Sequence, residues 1–388
     1  MTGAARDRPA GSPPQAVVLC GGLGTRLGAL TADMPKPLLP VGDRPFLDVL
    51  LFELGRHGVR RVLLLAAFHA DKIARYATDN PVAQRFGIDL EVAVEPDQAG
   101  TGGALWHARS RIEDRFLLLN GDSWFDFNLL ALCASGASSP EADAVMALRA
   151  LPDASRYGVA TLEGDRVTRF AERPDAAGPG LVNAGVYLLS RAVVEACAPS
   201  CSLERDILPD LVAQGRVRSV VRSGYFIDIG VPETFAAAQT AVPARLRRSA
   251  VFLSVGAVLR TSDQGGADED PSWVPGAPAA IGRLNEAGLY VFLLRDQADA
   301  QPRPPKPDRE TPIALVSAGA HVDTVAGPGS QTRLLSDLLE QWPVKSPGSL
   351  VVAERGDDLQ AARAAGMKSL AWRGGELSTV VDGVLGPA

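Results

Sequence analysis

Short apolar runs alternate with amphipathic stretches along this chain, and that alternation is what most narrows its choice of fold. AVVL (16–19), RVLLLAA (61–67), IDLEVAV (88–94) and RFLLL (115–119) each have the length and apolar continuity of a buried strand. Between them lie PFLDVLLFELGRHG, DKIARYA and GGALWHARSRI, which carry apolar residues at helical spacing. The first of these ends in a glycine stop. Strand–helix–strand alternation implies an α/β chain with a mostly parallel sheet and helices on its faces.

The pattern restarts after a basic stretch. The apolar runs AVFLS (250–254), LYVFLL (289–294), PIALVSA (312–318) and SLVVA (349–353) are interleaved with PGAPAAIGRLNEAG, LLSDLLEQW and DDLQAARAAG, which read as helices. A chain of 388 residues exceeds one ordinary core, so two α/β domains are expected, at 15–240 and 249–388, with 241–248 as a linker. The proline-rich stretch 295–310 reads as a loop. Residues 1–14 have no apolar core and read as a disordered tail, not a secretory signal.

Composition removes several function classes. A net charge of −6 argues against generic nucleic-acid binding. No apolar run approaches the ~20 residues of a membrane helix, and the expected compartment is a reducing cytoplasm. Cys20, Cys133, Cys197 and Cys201 do not form a metal-ligand set, so free thiols are expected. The four histidines, His57, His69, His107 and His321, sit in no motif that needs one and are assigned to surface or packing.

In an open α/β sheet, ligands sit at the carboxyl ends of the strands. The stretch GGLGTRLGALTADMPKPLLPVGDRP follows the first strand and so occupies such a place. Glycines let backbone N–H groups approach phosphate closely, and Arg26 and Lys36 add positive charge. The spacing is neither GxxxxGK[ST] nor GxGxxG, which excludes a P-loop and a dinucleotide fingerprint.

The compound pattern LCGGLGTRLGALTADMPKPLLPVGDRPFL resembles the signature of the sugar-1-phosphate nucleotidyltransferases. The resemblance covers about residues 15–240 and continues, in order, at EPDQAGTGGAL, LNGDSWFDF, FAERP, LVNAGVYLLS, CSLERDILP and YFIDIGVPETF. Within that family the runs GTGGA, LNGD, NAG and FIDIGVPE are most similar to the D-glycero-α-D-manno-heptose 1-phosphate guanylyltransferases. The resemblance implies a Rossmann-like (GT-A-like) domain. A sugar-phosphate oxygen would attack the α-phosphorus of a nucleoside triphosphate, and pyrophosphate would leave. Such a reaction brings two anions together, so it needs cations and backbone donors more than a strong base.

The resemblance also implies roles. Leu19, Gly21, Gly22, Gly24, Thr25, Gly100, Thr101, Gly102 and Gly121 would line the nucleotide. Arg26 would neutralise the leaving pyrophosphate, and Lys36, held between Pro35 and Pro37, would face the phosphates. Asp122 and Asp228 would hold Mg²⁺, which takes one or two carboxylates together with phosphates and waters. Asp126 is expected to be structural or a weak contributor. Glu172, Arg173, Asn183 and Glu204 would bind the sugar phosphate, with Arg173 standing where many family members carry lysine. Substrate identity stays open between heptose 1-phosphate with GTP and mannose, glucose or N-acetylmuramic acid 1-phosphate with UTP or ATP. A non-catalytic sugar-nucleotide sensor is the remaining alternative. A homo-oligomer is compatible with the sequence.

Residues 249–388 resemble the haloacid-dehalogenase-like (HAD-like) phosphatases, in particular the heptose bisphosphate phosphatase branch, on SAVFLSVGAVLRT, PGAPAAIGRLNEAGLYVFLLRDQ and SLVVAERGDDLQAARAAGM. An active relative would carry two aspartates just after the first strand, one to attack phosphorus and one to move the proton. Ser254 and Gly256 stand in those places, Arg295, Asp296 and Gln297 replace Thr-Asn-Gln, and Ala353 and Glu354 replace Gly-Asp. No cysteine follows Cys201 to form that branch's zinc loop, and Lys306 is the nearest candidate for its phosphate-binding lysine. The expectation is a phosphatase-like domain without phosphatase activity.

Overall fold

The computed structural model describes residues 12–96, 98–172, 178–260, 272–295, 313–326 and 331–386. The first part is built on a nine-stranded sheet. Its strands are β1 (Gln15–Leu19), β2 (Arg61–Ala66), β3 (Asp89–Val94), β4 (Arg115–Asn120), β6 (Ala144–Leu151), β7 (Val159–Glu163), β8 (Arg166–Ala171), β9 (Gly180–Ser190) and β10 (Val217–Arg222). They lie in the order β3-β2-β1-β4-β9-β6-β10-β8-β7. β5 (Ser123–Phe125) and β11 (Phe226–Asp228) form a separate two-stranded ribbon. β1, β2 and β4 are buried on both faces, which is why they read as continuous apolar runs.

The expectation of a mostly parallel sheet holds only for β3, β2, β1 and β4. Beyond residue 122 one further pair of this sheet, β6/β10, is parallel, and five ladders are antiparallel. The physical reason is connection length. Gly164 and Asp165 alone join β7 to β8, and so tight a turn can only return the chain antiparallel.

The second part has a five-stranded, wholly parallel sheet. Its strands are β12 (Ala250–Ser254), β13 (Tyr290–Leu294), β16 (Thr324–Ala326), β17 (Leu350–Ala353) and β18 (Lys368–Ala371), in the order β16-β13-β12-β17-β18. The run PIALVSA does not enter this sheet. Its residues Ile313–Leu315 (β14) pair with Ala320–Val322 (β15) as a small hairpin beside it.

Helix α3 (Pro232–Leu246) continues through most of the 241–248 stretch, with Pro243 inside the helix. Ala238 and Val242 are buried, and Gln239 accepts from Gly42 N–H and donates to Pro40 O, so packing holds those turns. Arg248, the end of the supposed basic link, is 6 % exposed.

The two sheets share one core through helix α1 (Phe46–Arg56), nearly all of whose residues are buried. Phe52 packs edge-on against Trp342 at 5.4 Å and Tyr290 at 6.4 Å. Among the described residues no helix is long and apolar enough to cross a membrane. All four cysteines are free, three of them buried.

Candidate functional site

Four segments converge at the carboxyl ends of β1 and β4. Asp122 follows β4 and the turn residue Gly121, whose N–H donates to Leu19 O at 3.0 Å. A Cβ on Gly121 would stand 2.4 Å from that same oxygen, so only glycine lets the loop pass so close to β1. Lys36 lies between Pro35 and Pro37 at the start of a 3₁₀ turn and is 8 % exposed. Its Nζ donates to Asp122 Oδ2 at 2.6 Å. A partly buried, charge-assisted contact of this kind restrains both groups.

Asp228 enters through the ribbon. β5 and β11 pair with Asp228 opposite Ser123, and Ile229 N–H donates to Asp122 O at 2.9 Å. Residues 106 positions apart in sequence thereby share one site. Asp228 Oδ1 accepts from Gly230 N–H at 2.6 Å, and Arg156 Nη2 stands 3.7 Å from Oδ2. Burial, and then the negative charge of Asp122, raise the Asp228 carboxyl above its ordinary range. Lys36 and Arg156 offset part of that rise, and the two carboxylates still crowd negative charge into one place. That is the electrostatic setting in which a hard, oxygen-seeking cation fits, and Mg²⁺ needs only one or two carboxylates. Among the described residues, no three or more His, Cys, Asp or Glu side chains gather as a metal set.

Arg26 is exposed on the glycine loop. Its Nη2 would lie 3.4 Å from a Cβ on Gly230, so its guanidinium stands beside the Asp228 turn. Gly22 and Thr25 are exposed on the same loop, and Thr31 Oγ1 donates to Gly24 O at 3.0 Å to fold it back.

Gly100, Thr101 and Gly102 open helix α2 (Gly100–Ala108) on the other side of the crevice. The Gly102 N–H is occupied, donating to Cys201 O at 3.0 Å. Thr101 Oγ1 donates to Glu204 Oε2 at 2.6 Å and accepts from Leu203 N–H at 2.8 Å. Thr101 and Glu204 are thus tied to each other. Asn183 Oδ1 accepts from Gly185 N–H at 3.0 Å, while its amide reaches the Tyr187 hydroxyl. That hydroxyl is pushed up by burial and then by Glu204, which brings Glu204 and Asn183 into one neighbourhood. Glu172 is exposed and pairs with Arg205 at 3.7 Å. Arg173 lies outside the described residues.

Three groups here were not singled out from the sequence. Arg156 and Tyr157 face Asp228, and burial followed by that carboxylate raises the Tyr157 hydroxyl. Glu95 follows β3 and is 9 % exposed. It packs so closely on the glycine loop that a Cβ on Gly21 would meet Oε1 at 2.6 Å. Burial raises its carboxyl, and its hydrogen bond from Ala99 N–H, at 3.3 Å, is long. The only sequence signal for Glu95 was its place at the head of EPDQAGTGGAL.

In the second sheet, Ser254 ends β12, Gly256 lies just beyond it and Glu354 follows β17. The strand order reverses between β12 and β17, so these residues sit at the switch point of the sheet. Ser254 Oγ donates to Val352 O at 3.4 Å, and a Cβ on Gly256 would lie 2.8 Å from Glu354 Oε1. Asp296, Gln297 and Lys306 lie outside the described residues.

Comparison with known proteins identifies the family. A family model described as nucleotidyl transferase matches residues 15–245, more than half of the chain. A D-glycero-α-D-manno-heptose 1-phosphate guanylyltransferase of Campylobacter jejuni is 34 % identical over 224 residues, covering 57 % of this chain and 96 % of the relative. A mannose-1-phosphate guanylyltransferase of Mycobacterium tuberculosis is 33 % identical over 226 residues, covering 57 % and 62 %. The solved structure of HddC from Yersinia pseudotuberculosis complexed with GMP-PN is 32 % identical, with a TM-score of 0.52, over 58 % of this chain and 98 % of that one.

Proposed function

Because the chain belongs to the nucleotidyl transferase family, we propose that it transfers a guanylyl group from GTP to D-glycero-D-manno-heptose 1-phosphate and releases pyrophosphate. The observation that carries the reaction class is the convergence of Lys36, Asp122 and Asp228 at the strand ends beside the glycine loop.

A phosphate oxygen of the sugar forms a bond to the α-phosphorus as the bond to the pyrophosphate oxygen breaks, and the electron pair leaves on pyrophosphate. The attacking group is already an anion, so no general base is required. Lys36 and Arg26 lower the repulsion between the two phosphate groups, and Arg26 stays with the leaving group. Asp122 and Asp228 would hold Mg²⁺, which would supply positive charge to the phosphates. Arg156, beside Asp228, adds a further cation to the site. Glu172, Arg173, Asn183 and Glu204 are proposed to receive the sugar phosphate.

Guanine as the base is supported by Glu95. Its carboxylate stands against Gly21 with acceptor capacity left over. Guanine presents two adjacent donors, N1–H and the N2 amino group, where adenine and the pyrimidines do not. The heptose assignment is supported by the names of relatives 34 % and 31 % identical to this chain. A second reading, mannose 1-phosphate as acceptor, is favoured by the 33 % identical mannose-1-phosphate guanylyltransferase. We further propose that the second domain is HAD-like and without phosphatase activity, because Ser254 and Gly256 stand at the end of β12 where the two aspartates would be needed.

The test is pyrophosphate release by the purified protein over a grid of nucleoside triphosphates and sugar 1-phosphates. GTP with heptose 1-phosphate is expected to give the highest kcat/KM. A higher value with mannose 1-phosphate selects the second reading, and no release with any pair removes the proposal.

A further inference from the structure

A buried chain of charges runs from the second domain to the ribbon that carries Asp228. At the head of the ribbon, Ile229 N–H donates to Asp122 O. At its foot, Asp126 N–H donates to Tyr225 O at 2.7 Å. The two ends are separated by four residues of extended chain, about 13 Å. Asp126 Oδ1 stands 3.0 Å from Nη1 of Arg248, whose Nη2 pairs with Glu53 Oε1 at 2.5 Å. Glu53 Oε2 accepts from Arg56 Nε at 2.8 Å. Arg56 Nη1 then reaches Asp323 Oδ1 at 2.8 Å in the second domain, and the other Asp323 oxygen accepts from Val291 N–H at 2.6 Å. Tyr290 of β13 packs against both guanidinium groups, 5.4 Å from Arg56 and 5.2 Å from Arg248.

The side chains of Glu53, Arg56, Arg248 and Asp323 are each at most 6 % exposed. Burying four such charges is costly, and well-packed apolar residues would hold two domains together at least as well. What such an ion network adds is a defined geometry, because a guanidinium fork donates to a carboxylate in few orientations, and the Arg248–Asp126 ion pair at 3.0 Å is its last link. Here the defined geometry ends on the ribbon that sets Asp122 against Asp228.

We propose that Arg248 and Asp126 are positioning residues for the transferase reaction: the second domain, whose Pro343 O and Lys345 N–H hold the backbone of Arg248, grips the foot of the ribbon through that arginine and so sets the spacing of Asp122 and Asp228 at its head. The proposal rests on the roles given to those two carboxylates above. It also gives the second domain a task that needs no chemistry of its own.

The test compares Asp126→Asn, Arg248→Gln and Arg248→Lys in the full chain, with Asp122→Asn as a control. The first readout is Mn²⁺ affinity, followed by electron paramagnetic resonance without substrates. The second is guanylyl transfer split into kcat and KM, and the third is the melting temperature. Asp126→Asn and Arg248→Gln are expected to bind Mn²⁺ about 10-fold more weakly and to lose about 10- to 100-fold in kcat, with KM for the sugar phosphate within about two-fold. Arg248→Lys is expected to recover part of both losses. Native Mn²⁺ affinity and kcat in both variants, with only a lower melting temperature, would reduce the network to domain glue and overturn the proposal. Mn²⁺ binding that is indifferent to Asp122→Asn would instead show that the head of the ribbon is misread. That result removes the functional reading and the proposal together.

Discussion

The two sheets present the same place in different chemical states. At the carboxyl end of β4, Lys36 and Asp122 are 2.6 Å apart, Asp228 is drawn in by the ribbon, and Arg26 stands beside it. At the switch point of the second sheet the described residues are a serine whose hydroxyl donates to a backbone carbonyl at 3.4 Å, a glycine and the carboxylate of Glu354. Topology offers a crevice in both cases. The side chains decide whether charge can be gathered there, so position in a fold is not evidence of activity.

The sharpest way to break this contrast is at Asp122. Asp122→Asn is expected to lower kcat by about 10³-fold, or roughly 4 kcal/mol, while the protein stays folded. Near-native turnover in a steady-state assay would mean that the first crevice is no better equipped than the second. The second domain is the complementary test. No inorganic phosphate above background is expected from a heptose bisphosphate, and enzymatic release that disappears in Glu354→Gln would reverse the comparison. Glu95→Gln asks whether the first crevice reads a base. It is expected to reduce the preference for GTP over the other triphosphates by about 10-fold, and an unchanged preference ratio would remove Glu95 from base recognition.

The smallest effect concerns the region between the sheets. His57 and His321 are fully buried with ring centroids 4.1 Å apart. Burial holds both below the ordinary histidine range, and Arg56 opposes their protonation further, although Asp323 pulls His321 the other way. Glu53, Arg248 and Tyr290 complete the charged and titratable surroundings. Their folded-state pKa values are depressed, so the unfolded chain takes up protons that the folded chain refuses. Stability is therefore complete above pH about 6.5 and falls as the pH drops below it, by at most about 1.4 kcal/mol per pH unit for each histidine. Urea unfolding at pH 7.5 and 5.5 should show the loss, and His57→Phe should shrink it. A difference that ignores His57→Phe would place the acid sensitivity elsewhere.

Much of the first crevice was legible in the sequence because its parts are local. The apolar runs, the glycine loop after β1, the lysine between two prolines and a carboxylate at each of two strand ends are all readable within about ten residues. The antiparallel half of the sheet was not legible, because strand direction there is set by connections such as the two-residue turn between β7 and β8, which carry no apolar period to read. Glu53, Arg56 and His57 sit at the end of an amphipathic helix and carry no sign that a second domain will cover them.

By itself the sequence determined the element types, the two-part organisation of the alternation and the kinds of charge available at the strand ends. These depend on side-chain periodicity and backbone preference within a few residues. Only the tertiary structure decided which distant groups meet: Asp122 with Asp228, Glu95 with Gly21, Arg248 with Asp126. Those meetings are set by strand register and by the burial of one domain's helix under another, and neither is encoded in the spacing of neighbouring residues.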